Sequence, residues 1–401
     1  MEGHLGHLTE RQQAALTEFK QLARGLLTEN YHDDYFCLRW LRARNFNVEA
    51  AKAMLEKSLH FRKSWRLDHI LEEFKINKGL QKIYPGGILG FDKLGGCVMI
   101  YPMANMQPKY FLEFTRRTDV VKVVLHRMER ALLLLREQRA KTGRNVEANT
   151  IIFDLSDFDI TTNLSTAAFS IYRDLVSTYE LNYPESLSHA FVINAPPIFS
   201  LFFNLLKPLL NGTTLSKVQI FGKDPSKWKP VLLDAIDADQ LPVRYGGTRT
   251  GRNGDEGCED EITYVDKLNN EVVQQMIRLI PEADRLIKAC VGRRSVHDHV
   301  VLIEEANSAL KVEFESDGHD IAFAILRRAS AKDSEKIVLE NKRYNSHQAS
   351  ALICIRCPAP SEYILRFDNT FSALRSKSIA FNLQIIPAAK VNDDMLMIHE
   401  P

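Results

Sequence analysis

The spacing of apolar residues changes twice along this chain, and these changes limit the folds that it can adopt. Between Thr9 and Phe61 the apolar residues recur at the three- and four-residue spacing of amphipathic helices. From 97 to 236, short apolar runs of strand length alternate with helical stretches. Beyond Val296 the spacing falls to two, as in half-buried strands. This order predicts an N-terminal helical bundle, an α/β layer and an all-β sandwich.

Capping residues locate the helices of the N-terminal bundle. Thr9 and Gln12 fit a capping box, Asp33 or Asp34 can cap a second helix ending around Asn45, and Asn47 can cap a third. Helices this short bury little apolar surface alone, so we expect them to pack against the following layer.

The middle of the chain is typical of parallel strands joined by crossover helices. Strands are predicted at 97–101, 150–155, 190–194 and 217–221. Helices are predicted at 111–140, 164–181, 198–210 and 228–236. The five glycines and one proline between 84 and 96 predict a loop.

The distribution of charge supports a division into two modules. Residues 1–250 carry a net charge of +6 and residues 251–401 carry −5, although the whole chain carries +1. Residues 248–262 are rich in glycine and charge and hold little to bury, which predicts a linker. We expect a helical segment at 1–75, an α/β domain at 76–248, a linker at 249–275 and a β-sandwich at 276–390.

Known catalytic and cofactor motifs are missing from the sequence. There is no GxGxxG, GxxxxGK[ST], GxSxG or HExxH, and the balanced charge argues against a nucleic-acid-binding protein. Asp154, Asp157 and Asp159 follow a strand without a partner base, metal motif or cofactor motif, so we interpret them as helix-capping and solvated loop residues. Cys354 and Cys357 face opposite sides of a predicted strand, which argues against a metal or redox site. The N-terminus lacks a signal-peptide core, and no apolar run reaches about 18 residues, so we expect a cytosolic protein.

The segment 196–211 is more apolar than an ordinary surface helix. Its few polar residues form one narrow stripe on a helix: they are Ser200, Asn204, Lys207 and Asn211. Three interpretations remain open: a central helix packed on several sides, a helix between a cavity and a membrane, and a helix in the groove of a partner protein. Pro208 would kink or end the helix, which suits a hinged lid.

Longer motifs resemble the CRAL-TRIO family of lipid-transfer proteins with a C-terminal GOLD domain. The segments similar to the CRAL-TRIO helical signature, gate region and closing motif are DYFCLRWLRARNFNV at 34–48, NYPES at 182–186, VINAPP at 192–197, LKPLL at 206–210 and LPVRYGGT at 241–248. The segments that resemble a GOLD domain are FESDGHD at 314–320, RYNSH at 343–347 and YILRFDNTFS at 363–372. The resemblance implies an α/β lipid-binding fold followed by an all-β GOLD sandwich.

The resemblance also implies a cavity for one lipid, closed by the helix at 198–210. The implied gate and cavity residues are Ile198, Phe199, Leu201, Phe202, Phe203, Leu205, Leu206 and Leu209. In members that bind phosphatidylinositol, a basic pair, a glutamate, a threonine and a lysine hold the inositol phosphate, and the matching residues are Arg44, Glu185, Thr214 and Lys217. Asn45 replaces the second basic residue, so one phosphate contact is lost. Asn149 and Ile151 replace the Ser-x-Thr that meets a phosphatidylcholine headgroup in some members.

We therefore expect a non-enzymatic protein that binds one hydrophobic lipid, with phosphatidylinositol as the first choice, and transfers or presents it between membranes. The alternatives are a carrier of tocopherol, retinoid or squalene-like isoprenoids, and a lipid-sensing adaptor that regulates a partner protein. The resemblance implies no cofactor besides the bound lipid, no metal and no nucleic acid. It implies transient contact with a membrane surface, the Golgi being one candidate, by a cytoplasmic protein with a protein partner for its GOLD domain.

Overall fold

The computed structural model describes residues 3–76, 78–159, 163, 166–278, 280 and 285–399. The chain forms two compact units: the first comprises Met1–Tyr110 and Val121–Asn269, and the second comprises Phe111–Val120 and Asn270–Pro401. The second unit therefore includes a short piece of chain that interrupts the first in sequence.

The first unit begins with three helices whose cores and caps follow from the sequence. They are α1 (Glu10–Leu22), α2 (Asp34–Arg42) and α3 (Val48–Trp65). The predicted caps are confirmed: Thr9 forms a capping box with Gln12, Asp33 caps α2 and Asn47 caps α3. Their apolar faces meet in a cluster that includes Phe19, Trp40, Leu41 and Leu55.

Helix α2 ends before the predicted Asn45. Asn45 and Phe46 take the left-handed conformation, with φ of 50° and 60°, and this ends the helix at Arg42. Two short helices follow, α4 (Ile70–Glu73) and α5 (Lys78–Ile83).

A five-stranded sheet with the order β1-β2-β3-β4-β5 forms the centre of the first unit. Its strands are β1 (Gly87–Phe91), β2 (Cys97–Pro102), β3 (Asn149–Asp154), β4 (Leu187–Ile193) and β5 (Val218–Ile220). Strands β2 to β5 are parallel, which confirms the predicted crossover arrangement. All six residues of β2 are buried, which explains their continuous apolar run.

The glycine-rich segment predicted as a loop contains an edge strand, so that prediction is wrong in part. Strand β1 pairs antiparallel with β2, and Gly86 bridges to Thr263 on its other side. A side chain at Gly87 would meet the carbonyl oxygen of Glu261 at 2.1 Å. Gly87 permits this close approach of two backbones because it has no side chain. In the sequence, a glycine that serves this purpose looks the same as a glycine in a loop.

Six helices lie in the described part of the middle of the chain. They are α6 (Pro108–Phe114), α7 (Arg117–Thr142), α8 (Thr166–Asn182), α9 (Phe199–Leu206), α10 (Gly212–Ser216) and α11 (Pro225–Ala235). The helix predicted at 111–140 is two helices, because the chain leaves the helical conformation at Thr115 and Arg116. Asp119, in the first turn of α7, accepts hydrogen bonds from Thr115 Oγ1 (2.7 Å) and Arg116 Nε (2.8 Å). The predicted start of α8 at 164 lies outside the described residues.

The segment predicted as a linker contains buried side chains. Cys258 and Ile262 belong to an apolar cluster of the first unit, together with Trp228 from α11. The few apolar residues among many charges are therefore used for packing, which composition alone does not reveal. The domain boundaries expected from the sequence stay a prediction.

The second unit contains helix α12 (Asn270–Arg278) and two antiparallel sheets. Its strands are β6 (Ile287–Val291), β7 (Val296–Ile303), β8 (Ser308–Ser316), β9 (Ile321–Arg328), β10 (Lys336–Tyr344), β11 (Ala351–Cys357), β12 (Ser361–Asp368), β13 (Lys377–Ile386) and β14 (Met397–His399). One sheet has the order β10-β9-β12-β7 and the other has the order β14-β11-β8-β13-β6. Phe323 and Phe367 from the first sheet pack against Phe314 and Phe381 from the second, which confirms the predicted all-β architecture.

Candidate functional site

Helix α9 has two apolar faces, one buried and the other exposed to solvent. Its start follows two prolines, and Pro208 lies in the single 3-10 turn that ends it, so the predicted helix at 198–210 is shorter than expected. The inward face carries Phe199, Phe202 and Leu206, which are buried at spacings of three and four.

The inward face of α9 packs on a closed aromatic cluster. The ring of Phe202 lies 5.3 Å from that of Tyr172 and 5.9 Å from that of Phe158 between centroids. Burial raises the pKa of Tyr172 well above its ordinary value, and its hydroxyl donates to the side-chain oxygen of Asn163. Phe203 and Leu209 are half-buried at the margin of this cluster. The helix therefore covers an apolar interior.

The outward face of α9 presents three large apolar side chains to solvent. Leu201 is 61% exposed, and Ile198 and Leu205 are also exposed, one helical turn to either side. This exposure disagrees with the interpretation of α9 as a central helix packed on several sides. An unpaired apolar face beside a buried one suits either a lid at a membrane or a docking helix.

Glu185 lies between two basic side chains. Its Oε2 atom is 3.6 Å from Nζ of Lys217 and 4.0 Å from Nε of Arg42. Lys217 directly follows α10, whose N-cap Asn211 accepts a hydrogen bond from the amide of Thr214 at 2.7 Å. Glu185, Thr214 and Lys217, three of the four predicted headgroup residues, thus belong to two neighbouring segments of the first unit.

A buried polar network positions the backbone before Glu185. The hydroxyl of Tyr183 donates to Glu129 at 2.7 Å, and Arg62 contacts the same carboxylate oxygen at 2.7 Å. Nε of Arg39 donates to the carbonyl oxygen of Pro184 at 3.1 Å. Burial lowers the pKa of Arg39 to about 10 and raises that of Tyr183 well above its ordinary value. Glu185 itself adopts a left-handed φ of 57°, which this network holds in place.

Arg44, the fourth predicted residue, has a different environment. It is exposed beyond the end of α2, and its guanidinium donates to the carbonyl of Ala43 at 2.7 Å. Among the described residues, Arg44 makes no ion pair with Glu185. Its role in binding stays a prediction.

Arg42 is a residue that the motif comparison missed. Its side chain is buried and contacts Glu147 at 2.8 Å, while His4 approaches the same carboxylate oxygen at 3.1 Å. Arg42 follows Leu38 at the helical spacing of four, so it shares the buried face of α2, whereas Arg44 lies past the last turn. This spacing was the signal in the sequence that could have identified Arg42 as a buried residue.

The described part of the chain contains no helix that is long and apolar enough to cross a membrane. Within the same residues, no group of three or more His, Cys, Asp or Glu side chains is arranged to hold a metal ion.

Comparison with known proteins identifies the front of the chain. Residues 5–57 match the CRAL/TRIO N-terminal domain, and residues 81–247 match the CRAL/TRIO domain. The crystal structure of Sfh5 superposes with a TM-score of 0.51 at 18% identity, over 67% of this chain and 98% of Sfh5. This similarity shows the fold.

Two curated relatives are similar to part of this chain. "Protein real-time" of Anopheles gambiae is 30% identical over 247 residues, which cover 61% of this chain and 36% of that protein. "Protein real-time" of Aedes aegypti is 29% identical over 247 residues, covering 61% of this chain and 38% of the relative. This chain therefore spans well under half the length of these relatives.

The C-terminal all-β unit is consistent with a GOLD-like domain. CRAL-TRIO proteins bind hydrophobic lipid ligands and are generally lipid binders, not enzymes. With both of its characteristic domains present in order, this chain belongs to the CRAL-TRIO family.

Proposed function

We propose that this protein binds one hydrophobic lipid beneath α9 and transfers or presents it between membranes without chemical turnover. The observation that carries the proposal is the pair of apolar faces on α9. Phe202 on one face is buried in an aromatic cluster, whereas Leu201 on the other is 61% exposed. A helix with this distribution can rest on a bilayer with its outer face and uncover the interior when it moves.

A closed apolar interior meets the main energetic demand of lipid transport. Each CH₂ group removed from water contributes about 0.8 kcal/mol, so a long acyl chain leaves a membrane only for an equally apolar site. Phe158, Phe199 and Phe202 provide such surroundings under the helix. The short segment after Leu206, with Pro208, provides the change of backbone direction at which α9 could hinge.

Phosphatidylinositol is the lipid that we propose as ligand. The Lys217–Glu185 distance of 3.6 Å is longer than that of a direct charge-assisted hydrogen bond, and Lys217 is partly exposed, so its ammonium keeps donors for a phosphate oxygen. Glu185 and Thr214 can bond inositol hydroxyls beside it. Arg42 supports Glu185 from the buried side, and Arg44 would meet the phosphate from solvent.

The test is mass spectrometry of lipids that co-purify with the full chain from a eukaryotic lysate. Wild-type protein should carry phosphatidylinositol, and Lys217→Ala and Arg44→Ala should each lower its recovery. Lys227→Ala, which changes an exposed lysine on α11, is the matched control and should leave recovery unchanged.

Recovery of isoprenoids alone, equal in all variants, would overturn the headgroup assignment and favour the tocopherol, retinoid or squalene-like carrier. Recovery of no lipid from any variant would contradict the lipid-binding proposal itself. A chemically altered lipid on the protein would contradict the absence of turnover.

A further inference from the structure

The loop between β12 and β13, residues 369–376, presents apolar side chains to solvent. Leu374 is 87% exposed, and no large apolar side chain in the described part of the chain is more exposed. Phe371, on the same loop, is 41% exposed. Exposed apolar side chains of this size cost solvation free energy unless a partner covers them.

The backbone of this loop is held in one shape. The buried side chain of Asn369 donates hydrogen bonds to the carbonyl oxygens of Gly292 (3.1 Å) and Arg375 (2.8 Å). The amide of Arg294 donates to the carbonyl of Ser372 at 3.0 Å, which ties the loop to the turn between β6 and β7. Leu374 is therefore exposed on a loop whose backbone is held by hydrogen bonds.

Basic residues lie next to Phe371 and elsewhere on the loop. The guanidinium of Arg343 lies 4.3 Å from the ring centroid of Phe371, and Nζ of Lys377 lies 4.1 Å from it. Asp320 is shared between Arg343 and the buried Lys377. The loop and the β6–β7 turn (residues 292–295) together carry three exposed arginines, Arg293, Arg294 and Arg375, and their sequences contain no acidic residue. This local excess of positive charge contrasts with the net −5 of residues 251–401.

We propose that the β12–β13 loop docks the protein on an anionic bilayer surface. Phe371 and Leu374 would enter the interfacial region while the exposed Arg293, Arg294 and Arg375 meet lipid phosphates and carboxylates. A small apolar tip within a basic rim fits a bilayer, because a stable protein partner usually covers about 800 Å² on each side around an apolar core. This surface belongs to the second unit, whereas α9 belongs to the first, and the proposal does not depend on the identity of the carried lipid.

Vesicle co-sedimentation of the full chain tests the proposal. The vesicles contain either phosphatidylcholine alone or phosphatidylcholine with one quarter phosphatidylserine. Leu201→Asp with Leu205→Asp is introduced throughout, so that α9 contributes little to binding. In this background we expect binding to the anionic vesicles only, weakened as salt rises from about 0.1 M to about 1 M and the Debye length falls from about 10 Å to about 3 Å.

Two sets of variants then assign the binding to the loop. Leu374→Asp should lower the partition coefficient about tenfold, and Arg294→Glu with Arg375→Glu should lower it at least as much. Ile337→Asp, which changes a 69% exposed side chain on β10, is the matched control and should bind like its parent. Leu374→Ala, with a smaller loss expected, serves if the Asp variant melts at a lower temperature than its parent.

Equal binding by Leu374→Asp, Leu374→Ala and Ile337→Asp would overturn the proposal, and so would equal binding to neutral and anionic vesicles. Lipid recovery by mass spectrometry should be the same for Leu374→Asp and wild type. A loss of vesicle binding with normal lipid loading therefore separates this inference from the proposed function.

Discussion

Glu315 on β8 caps the first turn of α7 through Thr118. Its Oε2 atom accepts hydrogen bonds from the Thr118 amide at 2.9 Å and from the Thr118 hydroxyl at 2.8 Å. The amide of Arg117 donates to the other carboxylate oxygen at 2.6 Å. A helix N-terminus is usually capped by a residue that is near in sequence, whereas this cap comes from a strand almost two hundred residues later.

This contact predicts a pH-dependent stability. Burial raises the pKa of Glu315 above its ordinary value of 4.5. Since the folded state holds this proton more tightly than the unfolded state, the free energy of unfolding should fall as the pH rises from 4.5 through the raised pKa. Glu315→Gln keeps an acceptor for the amides and should remove this part of the pH dependence.

Denaturant unfolding at several pH values checks the prediction. Glu315→Ala should lose about 1–3 kcal/mol of stability at neutral pH, because the amides of Arg117 and Thr118 lose their acceptor. The same pH dependence in wild type and Glu315→Gln would contradict the prediction.

Arg116 should be a large single contribution to the stability of the second unit. Its buried guanidinium contacts Asp119 at 2.8 Å and Glu313 at 2.8 Å. Arg116→Ala leaves both acids without this cation and should cost about 3–5 kcal/mol, as for other buried pairs that lose one partner. Thermal unfolding checks this, with Arg293→Ala, which changes an exposed arginine of the same unit, as the control. Similar losses in both variants would contradict it.

Arg42 and Arg44 should differ in their effects although only two residues separate them. Arg42→Ala leaves Glu147 buried beside a weaker partner and should lower the free energy of unfolding by about 3 kcal/mol or more. Arg44 is exposed, so Arg44→Ala should change stability by no more than about 0.5 kcal/mol. Denaturant titration of the two variants makes the comparison, and equal stability losses would be inconsistent with the buried position of Arg42.

The two faces of α9 predict two kinds of transfer defect. Leu201→Asp with Leu205→Asp changes exposed positions, so the protein should keep its stability and its bound lipid but transfer lipid between vesicles more slowly. Phe202→Asp places a charge in the aromatic cluster and should lower both stability and lipid loading. Fluorescent-lipid transfer and thermal unfolding separate these outcomes. Unchanged transfer in both variants would count against α9 as the lid.

Hydrophobic spacing was sufficient to predict most of the fold. The parallel strands β2 to β5 and the caps Thr9 and Asn47 could be located because local side-chain pattern and hydrogen bonding determine them. The edge strand β1 was missed, because Gly87 serves a close backbone approach that resembles a loop signal. The break at Arg116 was also missed, since its ion pair with Glu313 joins residues that are distant in sequence.

The candidate site could be predicted from the sequence less completely than the fold. The sequence indicated that α9 is unusually apolar, but only the structure separates the buried Phe202 from the exposed Leu201. Motif comparison selected Glu185 and Lys217, which lie close together. It did not select Arg42, because the contacts that bury this side chain come from Glu147 and the N-terminal residues, far along the chain.

Phe111–Val120 belongs to the second unit, and this limits how the chain can be divided. A cut after residue 269 separates the sequence into two pieces but leaves Glu313 and Glu315 in one piece and Arg116 and Thr118 in the other. During synthesis Arg116 can contact Asp119 at once, but it must wait for β8 before it can contact Glu313. The all-β unit is therefore not a portable module, and recombination or truncation that keeps it intact has to keep the start of α7 as well.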